Sequence, residues 1–409
     1  KFKGRLSVLS DYLKDHPFEG GLGIGHTRWA THGVPSDENA HPHFNEKKTI
    51  AVIHNGIIEN YIELKNMLLE KGYHFRSQTD TEVVAHLFDL YYEGDLLKAA
   101  FKVESVIRGT YALLAIHVDS PNEFVALRCE APLVIGYGQG ENFVASDIPA
   151  VLEYTRKVAF LENGEIAHVT ADNVTVYNTK HEIVEKKPFI VEWTLDAATK
   201  GGYDHFMLKE IYEQPQGIRD TINTRLDENG YIKLDDIKLT KDDINKFDKI
   251  YVVACGTAFH AGCVGKYAIE KLARIPVMCD IASEFRYSDP FVDDKTLVIV
   301  VSQSGETADT LRALREARRK GARILSITNV VGSSIARESD DVFYTWAGPE
   351  VAVASTKAYT TQLVAFYMIA LNLALAKGTV TEKRYFELID SLKQTADILE
   401  EMLKCTDDE

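Results

Sequence analysis

The stretch Thr296-Leu297-Val298-Ile299-Val300-Val301 is a continuous apolar run, and Ser302-Gln303-Ser304-Gly305-Glu306-Thr307 follows it directly. A run without polar alternation is typical of a parallel strand that is buried on both faces. Residues 307–320 then carry apolar side chains at helical spacing. The sequence therefore predicts a strand, a polar turn and a helix in succession.

The same alternation extends on both sides of this stretch. Apolar strands are predicted at 250–254, 277–281 and 323–328, with a further helix at 258–274. Strands that alternate with helices form a doubly wound parallel sheet, and such sheets bind ligands in the crevice at the carboxyl ends of their strands. The turns that follow the strands are therefore the candidate ligand-binding segments of the second half.

Three turns in the second half combine hydroxyl groups with the start of a helix: Ser302–Thr307, Cys255-Gly256-Thr257-Ala258 and Val353-Ala354-Ser355-Thr356-Lys357. Unpaired N–H groups and the helix dipole favour an anion there, although Ser and Thr also serve as simple helix caps. Three such turns at one sheet edge would suit a phosphorylated sugar. A nucleotide is the weaker hypothesis, because no Walker pattern and no Gly-x-Gly-x-x-Gly after a strand is present. Cys255 is interpreted as a small buried residue rather than a nucleophile.

Residues 1–195 have a different texture, with short strands and two helices. Strands are predicted at 50–54, 111–118, 142–146 and 166–170 because these runs are apolar, β-branched and bounded by turn residues. Helices are predicted at 61–71 and 81–92 from apolar spacing. The first half is therefore expected to be a strand-rich mixture of α and β structure.

A polar cluster in the first half predicts a binding site. His26-Thr27-Arg28-Trp29-Ala30-Thr31-His32-Gly33 carries a cation that could hold a carboxylate in a bidentate fork. Asn55-Gly56 could supply an amide and an unhindered N–H to a tetrahedral oxyanion, although Asn-Gly is also a common tight turn. Asp80 could cap the next helix or hold an ammonium group. Together these groups would suit an α-amino acid. A metal site is weighed because histidines 26, 32, 41, 43 and 54 lie close in sequence, and it is the less favoured interpretation.

Composition excludes several classes of protein. The 409 residues predict two or three domains, and 46 basic against 61 acidic side chains give a net charge of −15, which argues against nucleic acid or anionic lipid as a partner. Five cysteines without a Cys-x-x-Cys pair indicate a reduced, cytoplasmic compartment. Residues 363–376 are predicted to be a core helix too short to span a membrane. Both chain ends are interpreted as cut.

These motifs resemble those of the isomerising glutamine:fructose-6-phosphate aminotransferases, the glucosamine-6-phosphate synthase family. The resemblance runs in order through nearly all of the chain. The motifs that carry it are His26–Gly33, His54–Asn60, Thr79–Glu82, Lys209-Glu210-Ile211-Tyr212-Glu213-Gln214-Pro215, Ala282–Tyr287, Ser302–Thr307 and Val353–Lys357. It implies an N-terminal-nucleophile hydrolase domain, an α/β/β/α sandwich, followed by sugar-isomerase (SIS) modules with flavodoxin-like parallel sheets. Ammonia from glutamine would pass through an internal channel to fructose 6-phosphate, which gives glucosamine 6-phosphate and glutamate.

The resemblance also implies residue roles. Arg28 would bind the glutamine carboxylate and Asp80 its amino group, Thr31 and His32 would line that pocket, Asn55 and Gly56 would form the oxyanion hole, and Trp29 would gate the channel. Thr257, Ser302, Gln303, Ser304 and Thr307 would hold the sugar phosphate beside Val353 and Ala354. Ala258 stands where many relatives carry Ser, so it would offer only its backbone N–H. No cofactor and no metal is implied.

The resemblance further implies a glutaminase domain at 1–195, a linker and helical connection at 196–245, a first SIS domain at 246–380 and the start of a connection at 381–409. The family's nucleophile is an N-terminal Cys, and its isomerase residues lie in a second SIS module; neither is within these residues. We therefore expect an internal fragment with an incomplete sandwich, inactive as given, from an enzyme that is a homodimer at full length. A non-catalytic sugar-phosphate-binding regulator remains the alternative, as does another glutamine amidotransferase such as a phosphoribosyl amidotransferase or asparagine synthetase.

Overall fold

The structure, a computed structural model, describes residues 1–28, 33–191, 200–234 and 237–405. The chain divides into two compact units, Lys1–Glu192 and Trp193–Glu409. Each unit has its own clusters of buried apolar side chains.

The first unit combines helices with short antiparallel strands. Its helices are α1 (Leu6–Asp15), α2 (Tyr61–Glu70), α3 (Glu82–Tyr91) and α4 (Leu96–Val106). Its strands are β1 (His43–Phe44), β2 (Ile50–Ile58), β3 (Gly109–His117), β4 (Glu123–Cys129), β5 (Val134–Tyr137), β6 (Asn142–Ala145), β7 (Lys157–Phe160), β8 (Ile166–Thr170), β9 (Val174–Tyr177), β10 (Ile183–Val184) and β11 (Phe189–Ile190).

These strands form two sheets, in the orders β1-β2-β3-β4-β8-β9-β10 and β11-β7-β5-β6. Because side chains alternate along a strand, successive residues pack on opposite faces of the seven-stranded sheet. Val52 and Leu113 pack with the helices, whereas Ile53 and Leu114 pack with residues of the second sheet such as Ile135. The described residues therefore form three layers of the expected sandwich: helices, the seven-stranded sheet and the four-stranded sheet.

The second unit is built on a parallel sheet. Its helices are α5 (Phe206–Asn223), α6 (Lys241–Lys246), α7 (Gly256–Leu272), α8 (Ala282–Phe285), α9 (Ala308–Arg319), α10 (Ser334–Glu338), α11 (Lys357–Lys377) and α12 (Glu382–Cys405). Its strands are β12 (Lys249–Ala254), β13 (Val277–Ile281), β14 (Thr296–Ser302), β15 (Arg323–Thr328) and β16 (Asp341–Tyr344).

The strand order β13-β12-β14-β15-β16 confirms the predicted doubly wound sheet. Every pair is parallel, with Ile250 opposite Leu297 and Val301 opposite Ala254. Both faces of β14 are covered, since Leu297 and Val298 belong to separate apolar clusters. Burial on both faces explains why these strands read as continuous apolar runs.

Helix α11 corrects one expectation. The predicted helix at 363–376 is a core helix, but it extends to 21 residues, so the argument that it is too short to cross a membrane is wrong. By length and composition alone it could span a bilayer, and 67% of its apolar window is buried inside the protein. It packs on α7 so closely that a Cβ at Gly265 would lie 2.3 Å from the Phe366 ring. That packing gives the apolar composition a structural reason within the unit.

Candidate functional site

In the second unit, a cavity of about 230 Å³ lies where the strand order reverses. Strands β12 and β14 are neighbours and end together, so the turns that follow them meet at this edge. The lining residues are Cys255, Thr257, Ala258, Val301, Ser302, Gln303, Ser304, Thr307, Glu350, Ala352, Val353, Ser355 and Gln362. The three turns predicted to converge therefore do so.

The turn between β14 and α9 is organised by its own hydroxyl groups. Ser302 Oγ accepts a hydrogen bond from Gly305 N–H at 3.0 Å and lies 2.8 Å from Thr307 Oγ1. Ser304 Oγ accepts from Glu306 N–H at 3.2 Å. Thr307 is the N-cap residue of α9, but its side chain makes no capping bond. The hydroxyls shape a concave turn, and the alternative that Thr307 serves only as a helix cap is wrong.

Gly305 is required by the close approach of the neighbouring loop. Its φ is +66°, and a Cβ there would lie 2.0 Å from Ser333 Oγ. The adjacent Glu306 points its carboxylate at the start of α10, where it accepts from Ser334 N–H at 2.7 Å. The negative charge of this turn is thus directed at another helix and is absent from the cavity lining.

Two carboxylates hold the third turn, residues 350–358. Glu350 Oε1 accepts from the N–H groups of Thr356 and Ala358, at 2.9 and 3.1 Å, at the start of α11. Glu210 on α5 accepts from Val351 and Ala352 N–H, at 2.7 and 3.0 Å. Burial raises the pKa of Glu350, and the nearby charge of Glu210 adds to that rise. The motif Lys209–Pro215, which contains Glu210, therefore supports the cavity wall although it is far from residues 350–358 in the sequence.

The electrostatic character of this cavity is unusual for an anion site. Among the lining residues that the structure describes, none is Lys or Arg, and Glu350 is the one that carries a carboxylate. Favourable potential comes from the N-termini of α7 and α9, each longer than two turns. Such an arrangement can hold a compact anion through hydroxyls and N–H groups.

All but one of the residues predicted to bind the sugar phosphate line this cavity. Thr257, Ala258, Ser302, Gln303, Ser304, Thr307 and Val353 line it, whereas Ala354 is exposed and does not. Glu350 and Gln362 line it without having been predicted. Glu350 lies three residues before Val353, so the motif boundary was drawn too narrowly, while Gln362 left no signal in the sequence.

In the first unit, a cavity of about 310 Å³ gathers the polar cluster. Its lining residues are His26, Thr27, Arg28, His41, His54, Asn55, Gly56, Ile57, Thr79, Asp80 and Thr81. Arg28, Asn55, Gly56 and Asp80, predicted from three separate segments, are thus brought together. Trp29, Thr31 and His32 lie outside the described residues.

Asn55 and Gly56 lie inside strand β2, which continues to Ile58, so the alternative of a tight turn is wrong. Gly56 has φ +122°, and a Cβ there would lie 2.0 Å from the carbonyl oxygen of Thr110 on β3. Only glycine fits such an approach. The backbone at this point of the cavity wall is therefore unobstructed by a side chain.

The Asn55 amide has a fixed orientation. Its Oδ1 can only accept, so the 2.8 Å contact with His26 Nε2 is a bond donated by the imidazole. His26 stacks on His41 with ring centroids 4.0 Å apart. Burial lowers the pKa of His26, and burial with neighbouring imidazoles holds the pKa of His41 far below its ordinary value. With Oδ1 engaged, the amide nitrogen is the group that Asn55 can offer to the cavity.

Asp80 is fixed by the backbone of β2. Its Oδ2 accepts from Ile58 N–H at 2.8 Å, and the residue is 4% exposed. Helix α3 begins at Glu82, and its N-cap Thr81 makes no side-chain cap, so the capping role considered for Asp80 is wrong. Arg28 donates to the carbonyl oxygen of Gly33 at 3.1 Å. A carboxylate and a guanidinium thus line one cavity, as recognition of an amino acid requires.

The histidines pack as rings rather than as a ligand set. His41 also contacts His43 edge-on, with centroids 4.9 Å apart. Across the described ranges, no group of three or more His, Cys, Asp or Glu side chains is arranged to hold a metal ion.

Comparison with known proteins gives two family matches. Residues 26–153 match the glutamine amidotransferase domain and residues 243–372 match the SIS domain. A glutamine–fructose-6-phosphate aminotransferase (isomerizing) from Clostridium perfringens is 56% identical over 407 residues, which covers 100% of this chain and 67% of that protein. The protein of the same name from Caldanaerobacter subterraneus is 57% identical over 403 residues, 98% of this chain and 66% of its own length.

A solved structure is also similar. The C-terminal domain of glucosamine-fructose-6-phosphate aminotransferase from Francisella tularensis is 46% identical, with a TM-score of 0.47 over 49% of this chain and 56% of that chain. The chain spans about two thirds of the length of the curated relatives it matches.

Proposed function

Since the chain belongs to the family of isomerising glutamine–fructose-6-phosphate aminotransferases, we propose that it provides the glutamine site and a sugar-phosphate site for making glucosamine 6-phosphate from fructose 6-phosphate. Glutamine is hydrolysed to glutamate in the first unit, and the ammonia so released aminates the sugar. Relatives carry the names of this activity, and the two cavities have the chemistry that the two substrates require.

The first cavity suits glutamine. Asp80 is a buried carboxylate for the substrate ammonium, and Arg28 is a guanidinium for its carboxylate. Attack on the side-chain amide places negative charge on its oxygen, and the Asn55 amide with the Gly56 N–H are the donors for it. The attacking thiol, as the family resemblance has it, is an N-terminal cysteine. Trp29, Thr31 and His32 keep their proposed roles as channel gate and pocket wall.

The second cavity suits the phosphate of fructose 6-phosphate. The hydroxyls of Thr257, Ser302, Ser304 and Thr307 and the Gln303 amide can donate to its oxygens. The backbone N–H of Ala258 adds a further donor at the start of α7. Val353 and Ala354 are proposed to lie beside the sugar. The observation that carries the proposal is the convergence of three hydroxyl-lined turns at the point where the strand order reverses.

Calorimetric titration of the 409-residue chain tests both halves. We expect fructose 6-phosphate and glutamine each to bind, at separate sites and independently of one another. Asp80→Asn should weaken glutamine at least about tenfold, because the amide keeps an acceptor for Ile58 N–H but loses the charge that pairs with an ammonium. Fructose 6-phosphate binding should be unaffected by that substitution.

Asp172→Asn is the matched control, since it makes the same charge change at an exposed turn of the first unit. It should leave glutamine binding unchanged. Glutamine binding that survives Asp80→Asn would contradict the assignment of Asp80. Sugar-phosphate binding without any glutamine binding would instead favour the regulatory alternative.

Further parts of the proposal rest on sequence or family. We propose a cytoplasmic location, a homodimer at full length, and neither nucleic acid nor membrane as a partner. The domain limits 1–195, 196–245, 246–380 and 381–409 are proposed as well. That the 409 residues alone perform neither half-reaction stays a prediction, to be checked by assaying glutaminase and synthase activity of this chain beside a form that carries the remaining third of its relatives' length.

A further inference from the structure

Gln362, on the second turn of α11, is a buried residue with an unsatisfied polar atom in its side chain. The residue is 3% exposed, and its Oε1 has no hydrogen-bond partner among the residues that the structure describes. A buried acceptor left without a donor costs about 1–3 kcal/mol, so natural proteins rarely keep one without a reason. Gln362 is also a lining residue of the 230 Å³ cavity.

The position of Gln362 separates it from the phosphate-binding turn. It is carried by α11, whose first turn is held by Glu350, whereas Ser302, Ser304 and Thr307 belong to the turn between β14 and α9. Its nearest lining residue in sequence is Ser355. The α11 side of the cavity thus presents an amide, a carboxylate and a hydroxyl, which are groups that recognise alcohols.

We infer that Gln362 binds a hydroxyl group of the sugar chain and so distinguishes a phosphorylated sugar from phosphate alone. The inference rests on the proposed sugar-phosphate function of this cavity. A sugar hydroxyl can donate a hydrogen bond to Oε1 or accept one from the amide nitrogen, so a single hydroxyl can pair with either end of the amide. Gln362 is then a specificity-determining residue, which discriminates by leaving a buried acceptor unpaired when the hydroxyl is missing.

The test compares two ligands on the full 409-residue chain by calorimetric titration: fructose 6-phosphate and inorganic phosphate. Gln362→Met keeps the length and volume of the side chain and removes its polar atoms. We expect fructose 6-phosphate to bind about 5-fold to 100-fold more weakly, as for loss of one buried hydrogen bond. Phosphate should change by less than about twofold, because its donors lie on other turns.

A second readout separates binding from a structural role. Because no described residue donates to Oε1, Gln362→Met should leave the midpoint of thermal unfolding of the free protein unchanged or higher. Gln214 is the matched control: it accepts from Thr360 Oγ1 at 2.5 Å and donates to the carbonyl oxygen of Ile211 at 3.0 Å. Gln214→Met should therefore lower the unfolding midpoint and leave the ratio of the two affinities unchanged.

Each outcome decides the inference. Equal affinities for fructose 6-phosphate in wild type and Gln362→Met overturn it and indicate that water fills the site. Parallel weakening of both ligands also overturns it. If Gln362→Met does not fold, Gln362→Asn withdraws the amide by one methylene, and the same pattern of affinities is required. A wild-type chain that binds phosphate but not fructose 6-phosphate overturns the proposed function, and this inference with it.

Discussion

At Gly56 the backbone of β2 passes Thr110 so closely that any side chain would collide with it. Gly56→Ala places a Cβ 2.0 Å from the Thr110 carbonyl oxygen and forces an L-residue to hold φ +122°. Backbone strain of about 1–3 kcal/mol and overpacking of about 1–3 kcal/mol should add. We expect urea unfolding to show a loss of roughly 2–6 kcal/mol and glutamine binding to be lost with it.

Gly72 separates these two causes. It also has positive φ, +91°, but a Cβ there would meet nothing within 4 Å. Gly72→Ala should therefore cost only the backbone term, about 1–2 kcal/mol, and spare glutamine binding. Equal losses for the two variants would show that the contact with Thr110 does not restrict β2.

His43 gives the first unit a dependence on pH. Burial, assisted by the charge of Lys1, lowers the pKa of His43 from its ordinary 6.5 to about 3. Below pH 6.5 the unfolded chain therefore binds a proton that the folded chain does not, so stability falls as pH falls from 6.5 towards 3. The expected contribution to the slope is up to about 1.4 kcal/mol per pH unit.

Urea unfolding of His43→Gln between pH 7.5 and 4 measures this contribution. The variant removes the titrating group and keeps an amide that can reach Thr79, which lies 3.2 Å from His43 Nε2. Its stability should fall less steeply with acid than that of the wild type. Identical slopes would mean that His43 accepts a proton in the folded protein.

Among elements, the turn between β14 and α9 links stability to binding. Ser302→Ala removes the acceptor of Gly305 N–H and the partner of Thr307 Oγ1. Two polar groups lose their bond, so we expect a loss of about 1–3 kcal/mol in unfolding free energy and about tenfold weaker binding of inorganic phosphate. Ser326 is the control on the next strand, where its Oγ donates to the Asp341 carbonyl oxygen at 3.5 Å. Ser326→Ala should leave phosphate affinity unchanged; if it does not, phosphate binding depends on the sheet as a whole.

The elements of the second unit were largely predictable because most of its parallel strands are near-continuous apolar runs, whereas the edge strand β16 was not predicted. Strands 277–281 and 323–328 were predicted to the residue. In the first unit, strands such as β5 and β9 were not predicted, whereas β6, which has the same four-residue length, was predicted at 142–146. Runs this short carry too little pattern for the sequence alone to separate them. Strand β2 was predicted to end at residue 54, because Asn55-Gly56 is a common turn dipeptide, but it continues to Ile58. Apolar runs that are buried on both faces were therefore the elements most readily predicted, and short strands were the least.

The candidate residues divide in the same way. Arg28, Asn55 and Asp80 were predicted because their polar groups together suit an α-amino acid and because their motifs resemble those of the family, although Asn55 and Asp80 also had structural alternatives. Gln362 was not, because a glutamine within an apolar helix is read as part of the core, and only the packing of α11 against α7 and α5 brings it to the cavity. The roles of all four stay predictions until binding is measured.

At the scale of the whole molecule, charge restricts the ligand. The chain carries a net charge of −15, and no Lys or Arg lines the sugar-phosphate cavity within the described ranges. A pyrophosphate group brings more negative charge than a monoester and would meet Glu350 without a compensating cation. Helix N-termini supply only about half a charge each, which suffices for a phosphate monoester. The cavity should therefore select monophosphorylated sugars over phosphoribosyl pyrophosphate.

Thermal unfolding in the presence of each ligand tests this selection. At a concentration one hundred times its dissociation constant, a ligand stabilises the folded state by about 2.7 kcal/mol, which raises the unfolding midpoint by several degrees. We expect fructose 6-phosphate and glucosamine 6-phosphate to do so and phosphoribosyl pyrophosphate at equal concentration to have no effect. Because the site binds through neutral donors, 0.2 M salt should alter the shift only slightly, in contrast to a site that depends on exposed cations. Protection by phosphoribosyl pyrophosphate that salt abolishes would contradict this selection, since it would reveal a cationic binding site elsewhere on the chain.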